Sequence, residues 1–192
     1  MKYIKIKSVK LHLGCDKSYR EGWVNVDFKN SFKHDIDHDL NKFPWPFKDN
    51  TFEELTANNV IEHLNNPLEV MKEIWRISKP GARVNIAVPY YKSFNAFRDL
   101  THVSFFTWDS FSPLCGFISS REKDKVGYLP KLFRYSKRKL IYMSSSKFVI
   151  RQICQFFELI ININPEYVER YAPWLFDILN PEAINLRLEV IK

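Results

Sequence analysis

The stretch VKLHLGCDKSYREGWVNVD, Val9 to Asp27, decides how this chain folds. It begins with a short apolar run whose length and flanks are those of a buried strand. Gly14 follows at the point where the chain must turn sharply and let its backbone approach a ligand. Only about ten residues then lead to a second apolar strand, Trp23 to Val26, and such a link is short for a crossover helix. Asp27 ends that strand. A glycine turn followed by an acid at the next strand end suits a ligand with a ribose and a charged tail.

Strands and helices follow one another along the rest of the chain. A Pro-rich loop leads to a strand at Phe52–Asn58, and Pro67 opens a helix, since proline is tolerated in a first turn. Lys79-Pro80-Gly81 stops this helix, and Arg83 to Val88 alternates into a strand. The other predicted segments are a helical turn near Lys17–Glu21, an extended piece at Ile36–Asp39, a helix from near Thr107, a strand at Leu132–Met143, helices at Ser146–Ile161 and Pro165–Leu179, and a last strand at Ala183–Ile191. The order predicts an open, mostly parallel α/β sheet.

The composition is that of a globular chain. Its 192 residues are 45% hydrophobic, enough for one domain with a full core. No apolar run reaches the roughly 18 residues of a membrane span, and the first residues lack the apolar centre of a signal peptide. Cys15, Cys115 and Cys154 are far apart without metal-ligand spacing, so we expect free thiols. These features predict a cytoplasmic protein without a transmembrane segment.

Positive charge is concentrated in one part of the sequence. The net charge of +7 favours an acidic partner such as phosphate, nucleic acid or anionic lipid, although lysine is also common on ordinary surfaces. A basic run that follows the predicted fifth strand carries most of it. Its members are Arg121, Lys123, Lys125, Lys131, Arg134, Lys137, Arg138 and Lys139. The run could bind phosphate or an anionic glycan, and a solvated surface is the other interpretation.

These segments together resemble the class I S-adenosylmethionine-dependent methyltransferases. The order and spacing of LHLGCDKS, VNVD, DLNKFPWPFKDNTFE, NNVIEHL, ISKPGARVNIAVP and LTHVSFFT carry the resemblance, over about Val9 to Phe111. It implies a Rossmann-like three-layer α/β sandwich, with a mostly parallel seven-stranded sheet and an antiparallel last strand. It implies S-adenosylmethionine as the methyl donor. It also implies a single methyltransferase domain over residues 1–192, with an acceptor-side insertion at about 90–180.

The same resemblance assigns the donor site to the ends of the strands. Gly14 and the backbone of Cys15 and Asp16 would line the methionine end of the donor. Asp27 would accept hydrogen bonds from the ribose hydroxyls, since a carboxylate offers acceptors only.

Two further parts of the donor site are implied. Asp39 and Leu40 would lie beside the adenine, and Asn59 would face the sulfonium side. Asp16 departs from the family's pattern, which usually has glycine there. Aspartate tolerates the left-handed conformation better than most residues, and its charge could attract the cationic end of the donor. The alternative is weakened donor binding or a degenerate site.

His63 and His102 are the candidate general bases. Histidine titrates near neutral pH, and methyl transfer to a hydroxyl requires removal of a proton. Either residue could instead shape its loop. Glu62 and His63 also resemble a stretch of the O-methyltransferases of ubiquinone synthesis and small-RNA ends, which carry Glu-x-x-Glu-His and bind a divalent cation. Here Asn59 replaces the first glutamate and the cluster is one charge short, so we expect no metal site.

The sequence therefore predicts a cytoplasmic S-adenosylmethionine-dependent methyltransferase that methylates oxygen on a small polar or glycan acceptor. One alternative is an RNA methyltransferase that uses the basic segment 121–139, although no nucleic-acid module is visible. The other is a non-catalytic donor-binding or degenerate partner subunit. The apolar segment Ser146–Ile161 could serve core packing or a homodimer contact.

Overall fold

The chain folds around a seven-stranded mixed sheet in the computed structural model, which describes residues 8–28, 32–117, 129–142, 156, 159, 161–172 and 181–192. The strands are β1 (Lys10–Leu13), β2 (Val24–Asp27), β3 (Ile36–Asp37), β4 (Phe52–Asn58), β5 (Ser78–Pro89), β6 (Phe133–Tyr142) and β7 (Pro181–Val190). Their order across the sheet is β3-β2-β1-β4-β5-β7-β6. Only β7 runs antiparallel to its neighbours β5 and β6. The predicted sheet with an antiparallel last strand is confirmed.

The described helices are α1 (Pro67–Ile77), α2 (Phe94–Phe97) and α3 (Pro165–Tyr171). The α1 helix begins as predicted, because the Asn66 side chain accepts a hydrogen bond from the Glu69 amide and Pro67 occupies the first turn. Its apolar face, with Val70, Met71 and Ile74, is buried in the core. The helix ends at Ile77 because Ser78 is already extended, so β5 is longer than predicted at its start.

Two predicted helical segments are wrong. Residues 17–21 form turns rather than a helical turn, because the amides of Ser18 and Trp23 each close a tight turn and the Asn25 side chain binds the Arg20 backbone. The segment from Thr107 also forms turns, followed by a short 3-10 helix at Pro113–Cys115.

Part of the predicted chain lies outside the described residues. This applies to the basic residues Arg121, Lys123 and Lys125, to most of the Ser146–Ile161 helix with Cys154, and to the second half of the Pro165–Leu179 helix. Cys15 and Cys115 are buried free thiols, as expected. Within the described part of the chain, no helix has the length and apolar character of a membrane span.

The sheet has one apolar and one polar face. Strand register places Leu11, Leu55, Val84 and Leu188 in one row on the apolar face, where all four are buried. On the polar face, the next row runs from His12 through Thr56 and Asn85 to Arg187 and Lys137. Side chains alternate between the faces of a strand, so the two characters follow from sequence alternation.

The polar face is covered at one end and open at the other. Asn25 and His12 are buried there, and the Asn25 side chain bonds to the link between β1 and β2. Toward β7 and β6 the polar side chains of Asn185, Arg187 and Lys137 are exposed. All parallel strands end at the edge where Gly14, Asp27 and Asn58 lie. Ligands of open α/β sheets bind at such an edge.

Candidate functional site

The turn after β1 depends on glycine. Gly14 has φ of +57°, a conformation that costs a residue with a side chain about 1–2 kcal/mol. A Cβ atom built on Gly14 would also lie 2.3 Å from Cγ2 of Val60, in the loop after β4. The turn after β1 and the loop after β4 are therefore packed directly against each other.

A short hydrogen bond joins this turn to β2. The backbone amide of Asp16 donates to Asp27 Oδ2 at 2.6 Å, and the Phe28 amide donates to Asp27 Oδ1 at 2.7 Å. Asp16 has φ of +40°, so aspartate adopts the left-handed conformation at the position where the methyltransferases that the sequence resembles usually have glycine. Each carboxylate oxygen of Asp27 can accept a further hydrogen bond. The spare acceptor capacity fits a pair of ribose hydroxyls.

The Cys15 side chain is buried and is not a candidate nucleophile. It is 1% exposed, and burial raises the pKa of its thiol to about 11. The thiol therefore stays protonated at neutral pH, and only the Cys15 backbone is suited to contact a donor.

The next predicted donor residues lie along the same edge. Asp39 is half-buried after β3, and its carboxylate caps the Asn41 amide. Leu40 is buried, and its carbonyl accepts the indole N–H of Trp45, so Leu40 belongs to the core. Asn59 follows β4 with φ of +51°, and its backbone N–H donates to the backbone carbonyl of Ala87 in β5. This end of the sheet is rich in carboxylates, which complements the cationic sulfonium and ammonium groups of S-adenosylmethionine.

Two histidines from distant parts of the sequence meet beyond β4 and β5. His63 lies in the 3-10 turn Ile61–His63, and His102 lies in the loop after α2. Their ring centroids are 4.6 Å apart in an edge-to-face arrangement. The amides of Val103 and Ser104 donate to the Glu62 carbonyl, which holds the two segments together. The structure therefore brings both predicted bases into one cluster.

Hydrogen bonds fix the tautomer of each ring. His102 Nδ1 lies 2.9 Å from the Ala96 carbonyl, which can only accept, so Nδ1 carries the proton. His63 Nδ1 lies 2.8 Å from the Thr101 hydroxyl, and this hydroxyl donates its own proton to Asp99. In the neutral form of each ring, Nε2 therefore holds the free lone pair. Burial, and then the neighbouring His102, lower the pKa of His63, so its ring is neutral at physiological pH.

Glu62 completes the cluster. It is 1% exposed, and both of its carboxylate oxygens lack a hydrogen-bond partner among the described residues. Burial raises its pKa to about 7. One ligand atom from each of Glu62, His63 and His102 lies within 4.8 Å of the other two. Such a group could accept a proton, or it could hold a divalent cation through two imidazole nitrogens and a carboxylate.

The sequence indicated the candidate residues of this site, but it did not predict which of them contact each other. The structure brings Asp16 to Asp27 and His63 to His102, whereas Leu40 is in the core and Asp39 makes a local cap. Sequence reasoning missed the Thr101–Asp99 pair behind His63. The spacing Asp99-Leu100-Thr101 is a signal for a local turn, since Asp99 also accepts the Thr101 amide.

We expect Gly14→Ala to destabilise the protein more than Gly22→Ala. Both glycines have positive φ, but a Cβ on Gly22 meets nothing within 4 Å. The Gly22 variant should therefore lose only the conformational term of about 1–2 kcal/mol. The Gly14 variant should lose roughly a further 1–3 kcal/mol from overpacking against Val60. Urea denaturation measures both, and equal losses would show that the Val60 contact is unimportant.

Glu62→Gln should change how stability depends on pH. The raised pKa of Glu62 means that the folded state holds a proton more tightly than the unfolded chain does. Its contribution is full below about pH 4.5 and is lost as pH rises through about 7. The wild type should therefore lose stability relative to Glu62→Gln, by up to about 3 kcal/mol, between pH 5 and pH 8.

Urea denaturation of both proteins at the two pH values tests this expectation. A constant difference between wild type and variant would show that Glu62 does not titrate in this range. Repeating the series with Mn²⁺ separates the two chemical uses of the cluster. A bound cation would stabilise the wild type alone and remove its loss at pH 8.

Comparisons with known proteins agree with this architecture. Residues 19–86 match a family model described as a methyltransferase domain. A solved S-adenosylmethionine-dependent methyltransferase from Archaeoglobus fulgidus is similar over 94% of this chain and 85% of that one, with a TM-score of 0.53 and 14% identity. One from Methanosarcina mazei is similar over 98% and 95%, with a TM-score of 0.52 and 11% identity.

A third similar structure is that of an S-adenosylmethionine-dependent methyltransferase from Mesorhizobium loti. The likeness covers 94% of this chain and 89% of that one, with a TM-score of 0.52 and 10% identity. At such identities the likeness concerns the fold. A comparison with curated protein sequences finds no match. The methyltransferase-domain match covers residues 19–86, and the similar solved structures share the fold of this seven-stranded sheet.

Proposed function

We propose that this enzyme methylates an oxygen atom of a small polar or glycan acceptor. The observation that carries the proposal is the pair His63 and His102, whose rings lie 4.6 Å apart beyond the strand ends and whose Nε2 atoms are both left as bases. An oxygen acceptor requires a base, because a neutral hydroxyl must lose its proton during transfer.

The turn after β1 and the end of β2 would bind the methyl donor. Gly14 and the Cys15 backbone provide a surface without a protruding polar side chain, and Asp27 has spare acceptor positions for the ribose. Asp16 supplies negative charge beside the methionine end. When bound, S-adenosylmethionine supplies a methyl group on a sulfonium, which leaves as a thioether.

His102 is the proposed base. Its ring is half-buried and its Nδ1 is held by the Ala96 carbonyl, so Nε2 is the nitrogen that would take the hydroxyl proton. His63 packs against this ring and is held in turn by Thr101 and Asp99. A carboxylate oxygen of Glu62 lies within 4.8 Å of a nitrogen of each ring. The cluster would thus accept one proton per turnover and release it to solvent.

Exposed apolar side chains lie near this base in the sequence. Phe94, Phe97, Val103 and Phe105 are each about half exposed or more, and the rings of Phe97 and Phe105 stack at 4.7 Å. Aromatic faces of this kind bind the carbon skeleton of sugars and other ring compounds. They support an acceptor that presents a hydroxyl on a ring.

The donor site is tested by titrating the protein with S-adenosylmethionine and S-adenosylhomocysteine in a calorimeter. Asp27→Ala should weaken binding by about 1–3 kcal/mol, the scale of a lost charged hydrogen bond. The matched control is Asp37→Ala, because Asp37 is the exposed partner of Asp27 in strand register. Equal losses of donor affinity in both variants would show that Asp27 contributes only its negative charge and makes no specific contact with the donor. No binding to wild type would favour the non-catalytic interpretation.

His102→Ala should lower turnover by about 10²–10⁴-fold, the usual contribution of a general base. Transfer of radiolabelled methyl groups to a panel of glycans and sugar nucleotides measures the rate. Binding of S-adenosylhomocysteine should stay within about twofold of wild type. His34→Ala is the control, since His34 bonds only locally to the Phe32 carbonyl among described residues. Parallel losses of binding and turnover in His102→Ala would assign that residue a structural role.

A further inference from the structure

A groove crosses the open part of the polar face. It has a volume of about 250 Å³ and extends over β4, β5, β7 and β6. Three asparagines and three cationic residues supply its polar groups. They are Asn58, Asn85, Asn185, Lys137, Lys139 and Arg187. No carboxylate occurs among the described residues that line it.

Strand register explains why the cations are close together. Lys137 is the register partner of Arg187, and Lys139 is the partner of Asn185, the residue two positions before Arg187. Neighbouring strands lie about 4.8 Å apart, and residues two apart on a strand lie about 6.6 Å apart on the same face. Three positive side chains therefore leave the sheet from one small area.

A strand irregularity helps to collect these charges. The register of β6 against β7 shifts between Tyr135 and Lys137. After the shift, Lys137 and Lys139 lie on the polar face and Arg138 lies on the other. Arg138 is held there by Asp109 and by the ring of Trp108. Bulges commonly re-aim side chains next to functional sites.

The adjacent row on the same face provides an internal comparison. Two register positions toward the start of the parallel strands, the charges alternate as Lys10, Glu54, Arg83, Glu189 and Arg134. Glu54 lies 3.6 Å from both Lys10 and Arg83, and Glu189 lies 3.8 Å from Arg134. In the groove, asparagines stand between the cations instead of glutamates. Of the described residues that line the groove, none is a carboxylate that could balance Arg187 and Lys137.

The amide groups add directional donors. Arg187 Nε donates to Asn85 Oδ1 at 3.1 Å, so the Asn85 carbonyl is occupied and its amino group is available as a donor. Arg187 keeps its four terminal N–H groups, a set that matches the oxygens of phosphate or carboxylate. Cations and N–H donors around a small cavity form a site for an oxyanion.

One end of the groove reaches the proposed donor turn. Asn58 is followed by Asn59 and Val60, and Val60 packs against Gly14. From Asn58 to Arg187 the sheet crosses two strand spacings, roughly 10 Å. A ligand whose anionic group lies near Arg187 would extend along the groove toward the edge where methyl transfer is proposed.

We propose that this groove holds the phosphate group of a small phosphorylated acceptor, with Lys137 and Arg187 as its principal contacts and Lys139 beside them. The inference rests on the proposed methyltransferase function and defines its acceptor class. The volume of about 250 Å³ suits a sugar phosphate rather than a polymer.

Calorimetric titration with glucose 1-phosphate, with glucose as the uncharged counterpart, tests the site without requiring turnover. We expect millimolar or tighter binding of the phosphate and none of glucose. Lys137→Gln and Arg187→Gln should each weaken binding at least about tenfold. The control is Arg134→Gln, which removes a charge from the same strand and face but from the row that Glu189 balances. It should stay within about twofold of wild type.

The outcomes separate the possible explanations. Equal weakening in all three variants, or no binding of glucose 1-phosphate by wild type, would overturn the proposal. Tighter binding of a single-stranded oligonucleotide than of glucose 1-phosphate, lost in the same two variants, would replace it with a nucleic-acid surface. S-adenosylhomocysteine is titrated into each variant as well. Retained donor binding with lost phosphate binding is the expected result, and lost donor binding in wild type would contradict the proposed function instead.

Discussion

The structure depends on how three segments meet at the carboxyl edge of the sheet. The Asp16 amide bonds to Asp27, and Gly14 lies so close to Val60 that no side chain fits between them. These contacts join the turn after β1 to the end of β2 and to the loop after β4. The link between β1 and β2 carries no helix, so a hydrogen bond and a close packing contact do the positioning. The loop that carries Glu62 and His63 starts from the same Val60.

Asp16 shows how a polar residue can replace glycine in such a turn. Its left-handed φ is tolerated because its amide has a strong acceptor in Asp27. The side chain itself is exposed and free to face a cationic ligand. The acidic edge near β1 and β2 then differs in charge from the basic area on β6 and β7. In the proposed reaction, the acidic area would face the cationic donor and the basic area would face an anionic acceptor.

The cluster of Glu62, His63 and His102 is costly for folding. The Glu62 carboxyl is buried without a hydrogen-bond partner in the described part of the chain, so its ionisation destabilises the folded state. Each neighbouring imidazole is held by a hydrogen bond at Nδ1. Polar groups held in this way commonly mark functional sites. The Ala96 carbonyl holds the His102 ring, and Thr101, itself bonded to Asp99, holds the His63 ring. Both ring orientations are therefore fixed before a ligand binds, as catalysis or metal binding requires.

Local sequence patterns determined much of this protein. Alternation and flanking residues predicted the bounds of β4 and placed the other strands within one or two residues, except for the start of β5. Asn66 and Pro67 set the start of α1. The sequence also placed Gly14 in a turn and Asp27 at a strand end, because both signals are local. It failed at residues 17–21 and at Thr107, where side-chain bonds to backbone form turns instead of helix.

Contacts between distant segments were decided by the tertiary structure alone. The sequence offered five histidines, and only folding brings His63 to His102 and buries Glu62 beside them. The basic groove likewise draws on β4, β5, β7 and β6, and a register shift in β6 selects which cations face it. Periodicity reports which face of its own strand a residue occupies, whereas strand order and register depend on long-range pairing that no short window of sequence contains.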